Sequence, residues 1–103
     1  MYPILMREVL KNFKREARSI LKRLEVEDRY PKIEPYFEEA INQLPEERKE
    51  VFYLRFNSNL NELRIAYALD LSLLDAVKEL KESIISVLSR SEELYLEDLN
   101  LNE

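Results

Sequence analysis

Apolar residues recur three and four positions apart along almost the whole chain. That spacing constrains the fold more than any other feature. Between Ile4 and Leu24, Met6, Val9, Leu10, Phe13, Ala17, Ile20, Leu21 and Leu24 share one helical face. Ile33, Phe37, Ala40, Ile41 and Leu44 form a second stripe, with Pro35 suited to a first helical turn. Pro45 opens a third segment, in which Glu46 and Glu47 suit the positive end of the helix dipole. Its expected core contacts are Val51, Phe52, Leu54 and Phe56. Asn61 reads as the cap of a short helix over 62–69, and Ser72 as the cap of a longer one reaching about Leu88. On that last helix Leu73, Ala76, Val77, Leu80, Ser83, Ile84, Val87 and Leu88 share a face. No comparable stretch alternates with a period of two, so the expected fold class is all-α: a small bundle of five helices.

The missing residues narrow the chemistry. The 103-residue chain has no Gly, His, Cys, Thr or Trp. Without Gly there is no phosphate-cradling glycine loop, and without His or Cys no ordinary zinc site and no His- or Cys-based triad. Glu38–Glu39, Glu46–Glu47 and Glu92–Glu93 are sequence neighbours. On a helix they point about 100° apart and do not converge on a substrate. The expectation is a protein that is not an enzyme, with no cofactor and no metal. No apolar run approaches the ~20 residues of a bilayer span. The start of the chain has no secretory h-region. With no Cys to pair, a cytoplasmic location is expected.

Charge is unevenly spread. Residues 1–24 hold seven basic and two acidic side chains, whereas 25–50 hold four and nine, and 90–103 hold one and five. In the first helix Arg7, Lys11, Lys14, Arg15, Arg18 and Lys22 recur at helical spacing, giving a cationic stripe beside the apolar one. Such a stripe suits nucleic acid, an acidic protein, a membrane surface or plain solvent. Residues 25–32 read as a polar connection, and 90–103, acidic with interleaved Leu, as a frayed tail in the first place and a short docking segment in the second.

Residues 61–88, a short helix, a tight turn and a second helix, have the spacing of a helix-turn-helix. Its buried positions are Ile65, Ala66, Leu69, Leu71, Ala76 and Leu80. Together with "LPEERKEVFYLRF" at 44–56, residues 44–88 resemble region 4 of the sigma-70 family without a gap. Leu44, Pro45, Val51, Phe52, Leu54, Arg55, Leu60, Ile65, Ala66, Leu69, Leu71, Ser72, Leu80, Ile84 and Val87 carry the resemblance. Phage late-transcription regulators of the ArpU and RinA type are similar over this half. The resemblance implies a transcription regulator whose second helix meets promoter DNA and whose module docks on RNA polymerase. It divides the chain into an N-terminal helix and linker over 1–32, a region 4-like domain over 33–89 and an acidic tail over 90–103.

Departures from the family pattern decide between two functions. Asn59 and Asp70 replace customary glycines, and both residue types tolerate the left-handed backbone. Family members often carry Lys or Arg at the positions of Val77, Glu79 and Glu82, and Asp75 adds a third carboxylate to the reading helix. If DNA is bound, Arg55, Arg64, Lys78 and Lys81 are the expected contacts, with the basic stripe adding phosphate contacts where it packs on the same side, which the sequence leaves open. The alternative is a protein-interaction module that has lost DNA reading. Its expected contact residues are Leu74, Asp75, Glu79, Glu82 and Ile85, and its partner is RNA polymerase, a sigma factor or a second copy. Burying the amphipathic first helix requires the bundle or a second chain, so homodimerisation through it is a further expectation.

Overall fold

The computed structural model describes residues 3–101. Helix α1 spans Met6–Arg23. Two short helices, α2 (Tyr30–Ile33) and α3 (Phe37–Asn42), follow, with 3-10 turns at Glu27–Arg29 and Glu34–Tyr36. Then come α4 (Glu46–Phe56), α5 (Glu62–Leu69) and α6 (Leu73–Leu101). All regular elements among the described residues are helical. Residues 30–42 take the place of the expected second helix. Pro31 and Pro35 each lack the N–H of an intrahelical bond, so this segment forms short pieces rather than one rod.

Four phenylalanines build the centre. The Phe13 ring of α1 lies 4.9 Å from Phe37, 5.1 Å from Phe52 and 5.4 Å from Phe56, centroid to centroid. The first helix therefore contributes to the same core as α3 and α4. Val9, Phe13, Ala17 and Leu21 are its buried side chains. The bundle thus covers the middle of the apolar face of α1, while Met6, Leu10 and Ile20 are half-buried. Polar ties fix the start of α1 against the end of α4. The Leu5 N–H donates to Asn57 Oδ1 at 3.0 Å, and Asn12 Nδ2 donates to the Phe56 carbonyl at 2.7 Å.

Left-handed residues end the helices where glycine is customary. Glu25, Asn59 and Asp70 have φ of 60°, 57° and 55°. After α1, the Val26 N–H bonds the Leu21 carbonyl and the Glu25 N–H bonds that of Lys22. This is the paired closure of a Schellman motif, with Glu in the position that favours Gly. After α5, the Leu71 N–H bonds the Ala66 carbonyl at 2.8 Å, with Asp70 as the left-handed residue. The expected caps are present: Asn61 Oδ1 accepts from the Arg64 N–H at 2.9 Å, and Ser72 Oγ from the Asp75 N–H at 3.0 Å.

The largest departure from the sequence reading concerns the end of the chain. Residues 90–101 are not a frayed tail; they continue α6, which runs for 29 residues. At ~1.5 Å per residue this rod is about 43 Å long, and it packs along α2, α3, α4 and α5. Ser91 and Leu94 are buried. Arg90 bridges Gln43 Oε1 at 2.6 Å and the Glu93 and Glu97 carboxylates at 3.3 and 3.2 Å. The Tyr36 hydroxyl donates to Asp98 at 2.5 Å, and Arg29 pairs with Glu92. Asn102 and Glu103, the end of the expected tail, lie outside the described residues.

Candidate interaction surface

The segment α5–turn–α6 is set on the bundle by Ile65, Ala66, Ala76 and Leu80, all buried. Ala66 and Ala76, one on each helix, are 5% and 0% exposed, as close helix approach requires. Leu69 and Leu71 are half-buried at the turn. Leu73 does not join the core face: it is 51% exposed at the start of α6. Leu24 departs similarly, because α1 ends at Arg23 and turns away.

The outward side of this segment is apolar. Leu63 and Tyr67, one turn apart on α5, are 61% and 89% exposed, and Leu74 on α6 is 77% exposed. Leu63 and Tyr67 are absent from the set of contact residues chosen by sequence. Their signal was readable: they fall on the face of α5 opposite Ile65 and Leu69. Asp75, next to Leu74 in sequence, is exposed, and with Glu47, Glu50 and Glu79 it rims a depression of about 500 Å³ between α4 and α6. Its floor is Val51, Leu69 and Leu71.

The cations expected to meet DNA are divided: Arg55 and Lys81 line one depression with Glu16, Arg23 and Glu62, and Arg64 and Lys78 lie outside its lining. Arg64, Lys78 and Lys81 are exposed. Arg55 is half-buried, and its guanidinium lies 3.5 Å from Glu62 and donates to the Leu60 carbonyl at 3.4 Å. Arg48 is held by Glu82. On α1, Lys14 pairs with Glu34 at 2.7 Å, Arg18 stacks 4.7 Å over the Tyr30 ring, and Arg7 and Lys11 line a depression with Glu38. The basic stripe thus turns toward α2 and α3, with Arg15 and Lys22 exposed at its outer edge. The opposite edge of α1, carrying Asn12, Glu16 and Arg23, faces α4 and α6. The stripe does not share a side with the start of α6.

Among the three carboxylates that mark α6, Glu82 differs from Asp75 and Glu79 in having a cation partner, Arg48 at 3.1 Å. Ile85 is 60% exposed, so it lies outside the core, as Leu74 does. It borders a groove of about 390 Å³ between α1 and α6, together with Ile20, Leu24, Val26 and Leu88. No helix among the described residues is long and apolar enough to cross a membrane.

Comparison with protein-family models, with curated proteins and with solved structures finds no match to this chain.

Proposed function

We propose that this chain is a transcription-linked, helix-turn-helix-type module that acts by protein contact, with RNA polymerase or a sigma factor as partner. The resemblance of residues 44–88 to sigma region 4 supplies the transcriptional link. The observation that carries protein contact rather than DNA reading is the surface of α5 and early α6. Leu63, Tyr67, Leu73 and Leu74 are exposed there, and Asp75, next to Leu74 in sequence, makes no ion pair among the described residues. A helix entering the major groove needs phosphate-neutralising cations around it, because counterion release supplies most of the affinity. Exposed aromatic and aliphatic side chains are instead the anchors of protein interfaces.

DNA reading is the second reading, and one observation favours it. Arg64, Lys78 and Lys81 are exposed and make no ion pair among the described residues. Three cations release few counterions, so such binding is weak and confined to low salt. Two measurements separate the readings. One is fluorescence anisotropy of mixed-sequence duplex DNA at two salt concentrations. The other is retention of purified RNA polymerase by the immobilised chain, with and without Tyr67→Ala. Retention lost on Tyr67→Ala, with no salt-sensitive DNA binding, is the expected outcome. Steeply salt-dependent DNA binding abolished by Lys78→Glu/Lys81→Glu, without polymerase retention, would overturn it.

A further inference from the structure

The outer side of α6 carries one straight line of exposed apolar residues. Leu74, Ile85 and Leu96 follow one another at intervals of eleven residues. Eleven residues are about three turns, so the three side chains stand nearly above one another. They are 77%, 60% and 48% exposed. Lys78, Lys81, Ser89 and Glu92 lie on the same stripe, between these apolar positions.

The order along this stripe is symmetric about Ile85. Moving outward by four, seven and eleven residues, Lys81 is matched by Ser89, Lys78 by Glu92, and Leu74 by Leu96. A two-fold axis through Ile85 therefore sets the stripe of one copy against the stripe of another with compatible neighbours throughout. Leu meets Leu, Lys78 meets Glu92, which also holds Arg29 of its own chain, and Ile85 meets itself. Parallel pairing sets Lys78 against Lys78 and Glu92 against Glu92. Neither Lys78 nor Lys81 has an ion partner among the described residues, so both cations are available.

The first helix completes the seat. It packs on α2, α3 and α4, leaving the groove beside Ile85 that Ile20, Leu24, Val26 and Leu88 line. Leu24 is 65% exposed on its edge. We propose that α6 pairs antiparallel with α6 of a second copy of this chain, with Ile85 on the two-fold axis and Leu24 at the margin of the contact. From Leu74 to Leu96 the seam is about 33 Å long. It shares Leu74 with the surface proposed above but contains neither Leu63 nor Tyr67, and it does not rest on that functional reading.

Sedimentation equilibrium of the full chain over a range of concentrations reads the association. The dimer is expected, and Ile85→Glu weakens it by more than about tenfold, since two carboxylates then meet on the axis. Circular dichroism and the melting temperature report that this variant is folded, as an exposed position allows. Lys78→Glu weakens the dimer, and an equimolar mixture of Lys78→Glu with Glu92→Lys restores it as a heterodimer. The chain has no cysteine, so engineered thiols report the register. Under mild oxidation Ile85→Cys is expected to link to itself. Leu74→Cys is expected to link to Leu96→Cys and not to itself. A chain that is monomeric at every concentration overturns the proposal. So does a dimer indifferent to Ile85→Glu, which assigns the contact to another face, or self-linking of Leu74→Cys, which assigns a parallel pair.

Discussion

Arg48 of α4 reaches Glu82 of α6 at 3.1 Å, and its second terminal nitrogen donates to Ser86 Oγ, also at 3.1 Å. This offsets locally one of the three carboxylates that distinguish α6. Both side chains remain more than a third exposed, at 36% and 37%, so water screens the pair. A double-mutant cycle of Arg48→Ala and Glu82→Ala, read by urea unfolding, is expected to give a coupling below about 1 kcal/mol. The contact orients α4 on α6 more than it stabilises them. A coupling of about 3 kcal/mol would be the signature of a desolvated pair instead.

Leu94 tests whether the last turns of α6 belong to the fold. Its side chain is 7% exposed, within the same core cluster as Phe37 and Ile41. Leu94→Ala removes buried methyl groups and leaves a partly uncollapsed space, so it is expected to cost about 2–4 kcal/mol. Leu74→Ala, three-quarters exposed in the monomer, is expected to change unfolding by less than about 0.5 kcal/mol below the dimerising concentration. Urea melts of both variants supply the comparison.

The continuation of α6 was hard to read because its composition misleads. Residues 90–101 are rich in acids and Leu, which resembles a solvated tail. What makes them helical is tertiary: Arg90 on Gln43, Arg29 on Glu92 and Tyr36 on Asp98 are contacts between distant parts of the chain. The core was far more legible. Val51, Phe52, Leu54 and Phe56 are buried where the 3–4 spacing places them, and Asn61 and Ser72 cap the expected helices. Periodicity reports which face of a helix is apolar, but not which neighbour covers it. Leu73 shares the apolar face of α6 and still stands in solvent, because it precedes the first turn that reaches α4 and α5. The direction of the α1 stripe was undetermined for the same reason. Only the contacts of Lys14 with Glu34 and of Arg18 with Tyr30 fix it.

Glu25 and Asp70 hold left-handed backbone in a chain that has no glycine. A Cβ in that region clashes with the following carbonyl, and Asp relieves this better than Glu through local hydrogen bonding. Glu25→Gly is therefore expected to raise stability by about 1 kcal/mol, and Asp70→Gly by about half as much, after the entropy of the unfolded glycine is deducted. Thermal melts rank them. A loss of stability in Glu25→Gly would mean that its side chain contributes more than its backbone strain costs.

Two buried serines of α6 are predicted to behave oppositely. Ser83 Oγ donates to the Leu80 carbonyl at 2.7 Å, whereas Ser91 Oγ is buried with no hydrogen-bond partner among the described residues. Replacing a satisfied hydroxyl loses its bond, while replacing an orphaned one removes a desolvation penalty. Ser91→Ala is expected to stabilise the fold by about 1 kcal/mol, and Ser83→Ala to be neutral or destabilising by up to about 1 kcal/mol. Chemical unfolding of the two variants beside the parent chain decides the sign.

Stability is expected to fall at alkaline pH, and the tyrosines set where. Burial is the main cause that pushes Tyr30 and Tyr53 above the ordinary 10.0, and for Tyr36 it is the hydrogen bond donated to Asp98. In each case the fold holds the neutral phenol. Below the unfolded value of 10.0 both states are protonated, and these contributions are intact. Above it the unfolded chain releases protons that the folded one retains, so stability drops until pH passes the raised folded values. Tyr30 isolates the effect. Its hydroxyl is buried without a hydrogen-bond partner among the described residues, so Tyr30→Phe keeps the ring under Arg18 and against Phe37 while removing the ionisable group. Urea midpoints at about pH 8 and about pH 11 are expected to fall less in Tyr30→Phe than in the parent chain. An unchanged alkaline slope in that variant would locate the ionisation at Tyr36 and Tyr53.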